Sequence, residues 1–172
     1  MEKRMLVVYY SWSNGNTEKV AQRLAEACGA DIERIETVEP YPEDYNETVE
    51  QGQREVNEGF EPRIKPLEHD FASYDVIAVG TPTWWYTMAP AVRTLLAEND
   101  VHGKKVVAFQ TNGGWPGSVI GDIEGACEGA EFGPSLEIQF DSNGGDVQKT
   151  PQGQVDAWVE GVRVYANNSL AF

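Results

Sequence analysis

Residues 11–17, Ser-Trp-Ser-Asn-Gly-Asn-Thr, set five hydrogen-bonding side chains around one glycine, between an apolar run and a helical pattern. A helix start carries free N–H groups and the positive end of the helix dipole, so such a loop suits an anion. Ser11, Ser13 and Thr17 add hydroxyl donors, and Trp12, Asn14, Gly15 and Asn16 complete the segment. An ordinary helix cap needs one Asn or Thr and leaves the other polar groups unexplained. Within the loop no Arg or Lys comes before Lys19, so neutral donors would hold a phosphate here. Neither GxxxxGK[ST] nor GxGxxG occurs, which argues against nucleotide hydrolysis and dinucleotide binding.

Two further stretches share this loop-like character. Thr81-Pro82-Thr83-Trp84-Trp85-Tyr86-Thr87 and Thr111-Asn112-Gly113-Gly114-Trp115-Pro116-Gly117 each follow an apolar run, and with residues 11–17 they hold four of the five tryptophans. Tryptophan pairs ordinarily pack into cores, but a Trp-Trp-Tyr run cannot turn every ring inward from a loop, so at least one ring is expected to face a ligand. Trp84, Trp85, Tyr86 and Trp115 offer flat apolar surface for a planar ring. A phosphate joined to a flat heterocycle is a mononucleotide such as FMN.

The elements that must position these loops follow from periodicity. Met5–Tyr10 is a continuous apolar run that reads as a buried strand, and Val20, Ala21, Leu24, Ala25 and Cys28 recur at helical spacing before Gly29. Residues 30–36 alternate as an outer strand would. Residues 37–70 read as a polar surface helix with flanking loops, its thin stripe of Tyr45, Val49 and Val56 interrupted by Gly52. Strands are then expected at 75–80, from Lys104 and at 135–140, with helices from Ala89, from about Gly117 and from Gln152. Five strands alternating with five helices predict an α/β fold, a three-layer doubly wound five-stranded parallel sheet. In such sheets ligands bind beyond the carboxyl ends of the strands, where all three loops fall.

The 172 residues, 41% hydrophobic and without a composition break, read as one domain over 1–172. The N-terminal apolar run is too short for a signal peptide, and no window reaches a membrane span. Cys28 and Cys127 are expected as buried reduced thiols of a cytoplasmic protein. With 28 acidic against 13 basic residues the net charge is −15, which excludes nucleic acid and anionic membrane as partners; it favours a basic protein partner, or simply keeps the chain soluble. His69 and His102 lie outside the three loops and read as solvated surface residues, and no GxSxG points to hydrolysis.

"VVYYSWSNGNTEKVA", "VGTPTWWYTMAPAV" and "TNGGWPG", in this order, resemble the flavodoxin family of FMN-binding electron carriers and their flavoprotein relatives. The resemblance spans nearly the whole chain and implies strand order 2-1-3-4-5. It places the FMN phosphate on residues 11–17 and the isoalloxazine ring between the 82–86 and 112–117 loops. Two departures stand out: Asn14 is one residue more than the family's phosphate loop has, and Trp84-Trp85-Tyr86-Thr87 lacks the glycine that makes φ > 0 inexpensive in the second loop. The resemblance implies a low-potential electron carrier, a monomer or weak dimer, docking redox partner proteins on its acidic surface. The alternative is an NAD(P)H-dependent FMN or quinone reductase on the same scaffold, disfavoured by the lack of a basic pocket for a 2′-phosphate near these loops.

Overall fold

Apolar residues at alternate positions along three neighbouring strands split the interior into two cores, one on each face of a parallel sheet. The computed structural model describes residues 4–12, 14–143 and 145–168. Strand β1 (Met5–Tyr9) sits between β2 (Asp31–Arg34) and β3 (Val76–Trp84), and β3 pairs in turn with β5 (Lys105–Asn112). Leu6, Val8, Ile77, Val79, Val106 and Ala108 face helices α3 (Pro90–Glu98) and α4 (Val119–Gly125). Met5, Val7, Val76, Ala78, Val107 and Phe109 face α1 (Asn16–Cys28) and α5 (Gln152–Asn167). Helix α2 (Tyr45–Glu58) packs near α3 and β3.

The expected order 2-1-3-4-5 is present, with two refinements. The fifth strand is broken by Gly133, Pro134 and Ser135 into β6 (Glu131–Phe132) and β7 (Leu136–Gln139), which pair with successive parts of β5. The third strand runs four residues beyond the expected Gly80 and folds back through a tight turn to an antiparallel β4 (Thr87–Met88), so residues 81–87 form a hairpin and not a loop.

Two side chains depart from expectation for local reasons. Cys127 is buried but Cys28, in the last turn of α1, is only half-buried. His69 is not simply solvated: its Nδ1 lies 2.6 Å from the Glu33 carboxylate, which also accepts the His69 backbone N–H. Lys105, 1% exposed, is the one lysine in the sheet interior among the described residues; its Nζ donates to the Tyr165 and Asn168 carbonyls and so closes the end of α5. No helix among the described residues is long and apolar enough to cross a membrane.

Candidate functional site

Parallel register brings Tyr9, Gly80 and Phe109 level, so the chains leaving β1, β3 and β5 emerge side by side at the carboxyl edge. A cleft of about 390 Å³ opens there. Its walls are Trp12, Asn14, Asn16 and Thr17 after β1, Pro82–Tyr86 of the hairpin, Thr111–Gly113 and Trp115 after β5, Phe140, Asp141 and Gly145 after β7, and Tyr45, Thr48, Val49 and Gly52 of α2.

At the polar end, the N-cap of α1 is Gly15, with φ 74° and no side-chain cap bond. The ordinary Asn or Thr cap is thus not made, and the first-turn N–H groups have no side-chain acceptor from the cap residue. Thr17, 2% exposed, shares a 2.8 Å hydrogen bond with the Thr111 hydroxyl and so ties the helix start to the end of β5. Asn16 donates through Nδ2 to the Gly145 carbonyl, while its Oδ1 is, among the described residues, the buried side-chain polar atom without a partner. The nearest cations are engaged elsewhere: Arg34 donates to the Ser11 carbonyl at 2.7 Å and lies 3.9 Å from Glu18, and Lys19 lies 3.8 Å from Asp146. The donors at this end are therefore neutral.

The opposite wall is aromatic. Trp84 meets Tyr41, Tyr10 and Trp12 edge-on at ring distances of 5.0, 5.7 and 6.4 Å, and Trp12 leans on Tyr45 at 5.8 Å. A Cβ on Gly52 would lie 3.1 Å from the Trp84 ring, so α2 approaches this wall closely. Behind Trp84 the Tyr41 hydroxyl donates to the Glu55 carboxyl at 3.1 Å. Glu55 is 6% exposed, and desolvation pushes its pKa up against the opposing pull of Tyr41 and Gln51.

The hairpin tip is strained. Trp85 and Tyr86 have φ of 50° and 69°, the two positive values a tight hairpin turn needs, at positions where Asn-Gly is the usual choice. Each such residue costs on the order of 1–3 kcal/mol and persists only where its surroundings impose it. They do: the Trp85 indole N–H donates to the Val49 carbonyl at 2.9 Å, and the Tyr86 carbonyl accepts the Ser118 N–H at 2.8 Å. The neighbouring loop is shaped by Gln110, fully buried, which donates to the Pro116 carbonyl and accepts from Asn112. Asn112 in turn accepts the Gly114 N–H at 2.8 Å.

Of the residues singled out in the sequence, Trp12, Asn14, Asn16, Thr17, Pro82, Thr83, Trp84, Trp85, Tyr86, Asn112, Gly113 and Trp115 line the cleft together. Ser11, Gly15, Thr81 and Gly114 do not. Ser11 is 2% exposed beneath the loop, Gly15 shapes the helix start, and Gly114 shapes its own turn at φ 117°. Thr81, fully buried, accepts the Ala89 N–H with its hydroxyl and so anchors the start of α3. Ser13 lies outside the described residues.

The flavodoxin family profile matches residues 4–160. The chain belongs to the flavodoxin family. Its fold aligns with that of a flavoprotein in complex with FMN from Lactobacillus acidophilus NCFM, at 21% identity over 91% of this chain and 98% of that one, TM-score 0.71. Oxidised flavodoxin 1 from Bacillus cereus aligns at 18% identity over 96% and 99%, TM-score 0.59. A candidate flavoprotein from Bacteroides eggerthii DSM 20697 aligns at 25% identity over 92% and 96%, TM-score 0.74. Comparison with curated proteins returned no match.

In this flavodoxin-family chain, sequence reasoning missed the contribution of α2 and of the turn after β7. The turn has a legible signal, because Phe140-Asp141-Ser142-Asn143-Gly144-Gly145 is a small polar run at a strand end, like the other three. The α2 stripe Tyr45, Val49 and Val56 misled because the helix buries Thr48, Gly52 and Glu55 instead, leaving Tyr45 and Val49 to the cleft.

Asp141 organises its turn by accepting the N–H groups of Gly145, Asn143 and Val147 at 2.7, 3.2 and 3.3 Å. These bonds, that from Gly145 foremost, hold its carboxyl below the usual carboxylate range. A depressed native pKa contributes stability that is complete above the unfolded value of about 3.9 and is lost as pH falls through the native one. The Gly145 amide proton shift should therefore titrate with a midpoint below about 3.9. Asp141→Asn should remove that titration; an unaltered curve would refute the assignment.

Proposed function

We propose that this chain binds FMN in the cleft and carries electrons between redox proteins. The observation that carries the reading is the meeting, in one cleft, of an uncapped helix start with neutral hydroxyl and amide donors and a wall of tryptophans. The residues fit the group: first-turn N–H groups with Thr17 suit a phosphate, the free Asn16 Oδ1 suits a hydroxyl donor, and about 390 Å³ is within the range of small-molecule sites. FMN, when bound, supplies one- and two-electron chemistry at its ring. Trp84, Trp85 and Trp115 offer the ring flat apolar surface. Asp141 is the one charged side chain among the residues lining the cleft, so added electron density on a bound ligand meets no compensating cation.

Two features support a carrier over a reductase. No Lys, Arg or His lines the cleft to hold the adenosine 2′-phosphate of NADPH. A net charge of −15 supports docking with a basic protein face, in a cytoplasm that keeps Cys28 and Cys127 reduced. The test is the visible spectrum of the protein with added FMN. Thr17→Val is expected to weaken uptake by about 10- to 100-fold, the range of one hydrogen bond to a charged group. A wild-type protein that takes up no FMN overturns the reading. Rapid bleaching of the bound flavin by NADPH without a partner protein would establish the reductase instead.

A further inference from the structure

Trp85 and Tyr86 are, among the described residues, the two non-glycine positions with positive φ, and both face the cleft. A turn that its own residues disfavour persists only when neighbours impose it, so what imposes it acts on the site. On the outer side the neighbour is α4. Its N-cap Ser118 makes no side-chain cap bond. The Ser118 hydroxyl instead lies 2.7 Å from Asp122 Oδ2, while the Ser118 N–H takes the Tyr86 carbonyl at 2.8 Å. The Thr87 hydroxyl, one residue past the tip, donates to the same Asp122 oxygen at 2.5 Å. Ser118 thus bonds the hairpin through its backbone N–H and Asp122 through its hydroxyl, and the Asp122 oxygen links it to the returning strand.

We propose that Asp122 is a positioning residue that holds the Trp85-Tyr86 tip in its strained, ring-accepting geometry. The proposal rests on the FMN reading for its ligand. Without the clamp, the tip can relax to turns its residues prefer, and only the fraction still in the strained geometry binds; the apparent dissociation constant rises by the inverse of that fraction. The apo fold loses little, because the bonds given up are offset by the strain released. Both hydroxyls donate to a single oxygen, so an amide oxygen can replace it and the charge is not required.

The experiment compares wild type, Asp122→Ala and Asp122→Asn by FMN titration, by melting of the flavin-free protein, and by hydrogen exchange of the Trp85 indole N–H that is bonded to Val49. Asp122→Ala should weaken FMN binding about tenfold and speed indole exchange, and Asp122→Asn should stay within about twofold of wild type. The flavin-free melting temperatures should agree within about 2 °C. Equal affinities in all three proteins overturn the clamp. So does an Asn variant as weak as the Ala one, which would make the effect one of charge, or an apo melting loss that matches the binding loss. A wild type that takes up no FMN overturns the cofactor reading instead, and the indole exchange then decides: unchanged exchange in Asp122→Ala overturns the clamp, faster exchange upholds it.

Discussion

Gly117→Ala is expected to weaken FMN binding by about 100-fold or more, about 2.7 kcal/mol, while leaving the sheet folded. Gly117 has φ +63°, where an alanine is strained whatever the space around it. A Cβ built there would lie 2.1 Å from the Tyr86 carbonyl oxygen and 2.5 Å from the Tyr86 Cα. Those are backbone atoms of the hairpin tip and cannot rotate aside as a side chain can. Either the tip moves outward, carrying Trp85 and Tyr86 off the ring site, or the 112–117 loop retreats and takes Trp115 with it. Each outcome also breaks the Ser118 N–H bond to Tyr86. The affected segments are the tip of the β3–β4 hairpin and the 112–117 loop at the carboxyl edge of the sheet, and the parallel pairing of β1, β2, β3 and β5 lies below them. Far-UV circular dichroism should therefore match wild type while flavin fluorescence shows little quenching on titration. Near wild-type affinity in this variant would mean that the tip does not contact the ring.

The sequence made the sheet legible because its central strands are apolar on both faces. Met5–Tyr9 and Lys105–Asn112 have almost no exposed residue, and short apolar runs bounded by turn residues are the mark of strands covered on both sides. Strand ends were less legible. Thr81, Thr83 and Trp84 read as loop because hydroxyls and bulky rings fall where burial ends, yet backbone pairing continues through Trp84 and returns at Thr87. The turn escaped notice because Trp-Tyr lacks the Asn-Gly signal, and the chain supplies positive φ by bracing from α2 and α4 rather than by residue choice. Tertiary support of this sort leaves no local trace.

The site was legible for the same reason in reverse. Hydroxyls, amides and tryptophans where strand patterns stop have little to do in a core, and most of those named do converge on one cleft. The exceptions are polar residues with structural duties at the same edge: Thr81 serves α3, and the Ser11 carbonyl serves Arg34. Composition cannot separate a hydroxyl that faces a ligand from one that caps a neighbouring helix. Helix α2 was misread because a helix seated on a tryptophan wall needs small residues at the contact, and Thr48 and Gly52 do not look like a buried stripe.

Gly80→Ala is expected to destabilise the protein by about 3 kcal/mol, at the upper end of overpacking costs, although the change adds one methyl group. Gly80 lies between Tyr9 and Phe109 in the central register. A Cβ there would sit 2.3 Å from Phe109 Cζ and 2.4 Å from Cε2. The ring lies across the glycine and has no room to withdraw: Phe109 is fully buried and packs on Trp158 at 5.5 Å. Trp158 is itself fixed by its indole N–H to the Pro134 carbonyl at 3.0 Å. The conflict is therefore with one side chain, unlike that at Gly117, and a smaller partner should relieve it. Phe109→Leu alone leaves a cavity and costs stability, but added to Gly80→Ala it makes room for the new methyl group. A double-mutant cycle by urea denaturation should show a favourable coupling of about 1–3 kcal/mol, so that the pair is more stable than the two single losses predict. Strict additivity would show that Phe109 escapes the methyl group by another route, and that the glycine at this strand position is not required by the ring beside it.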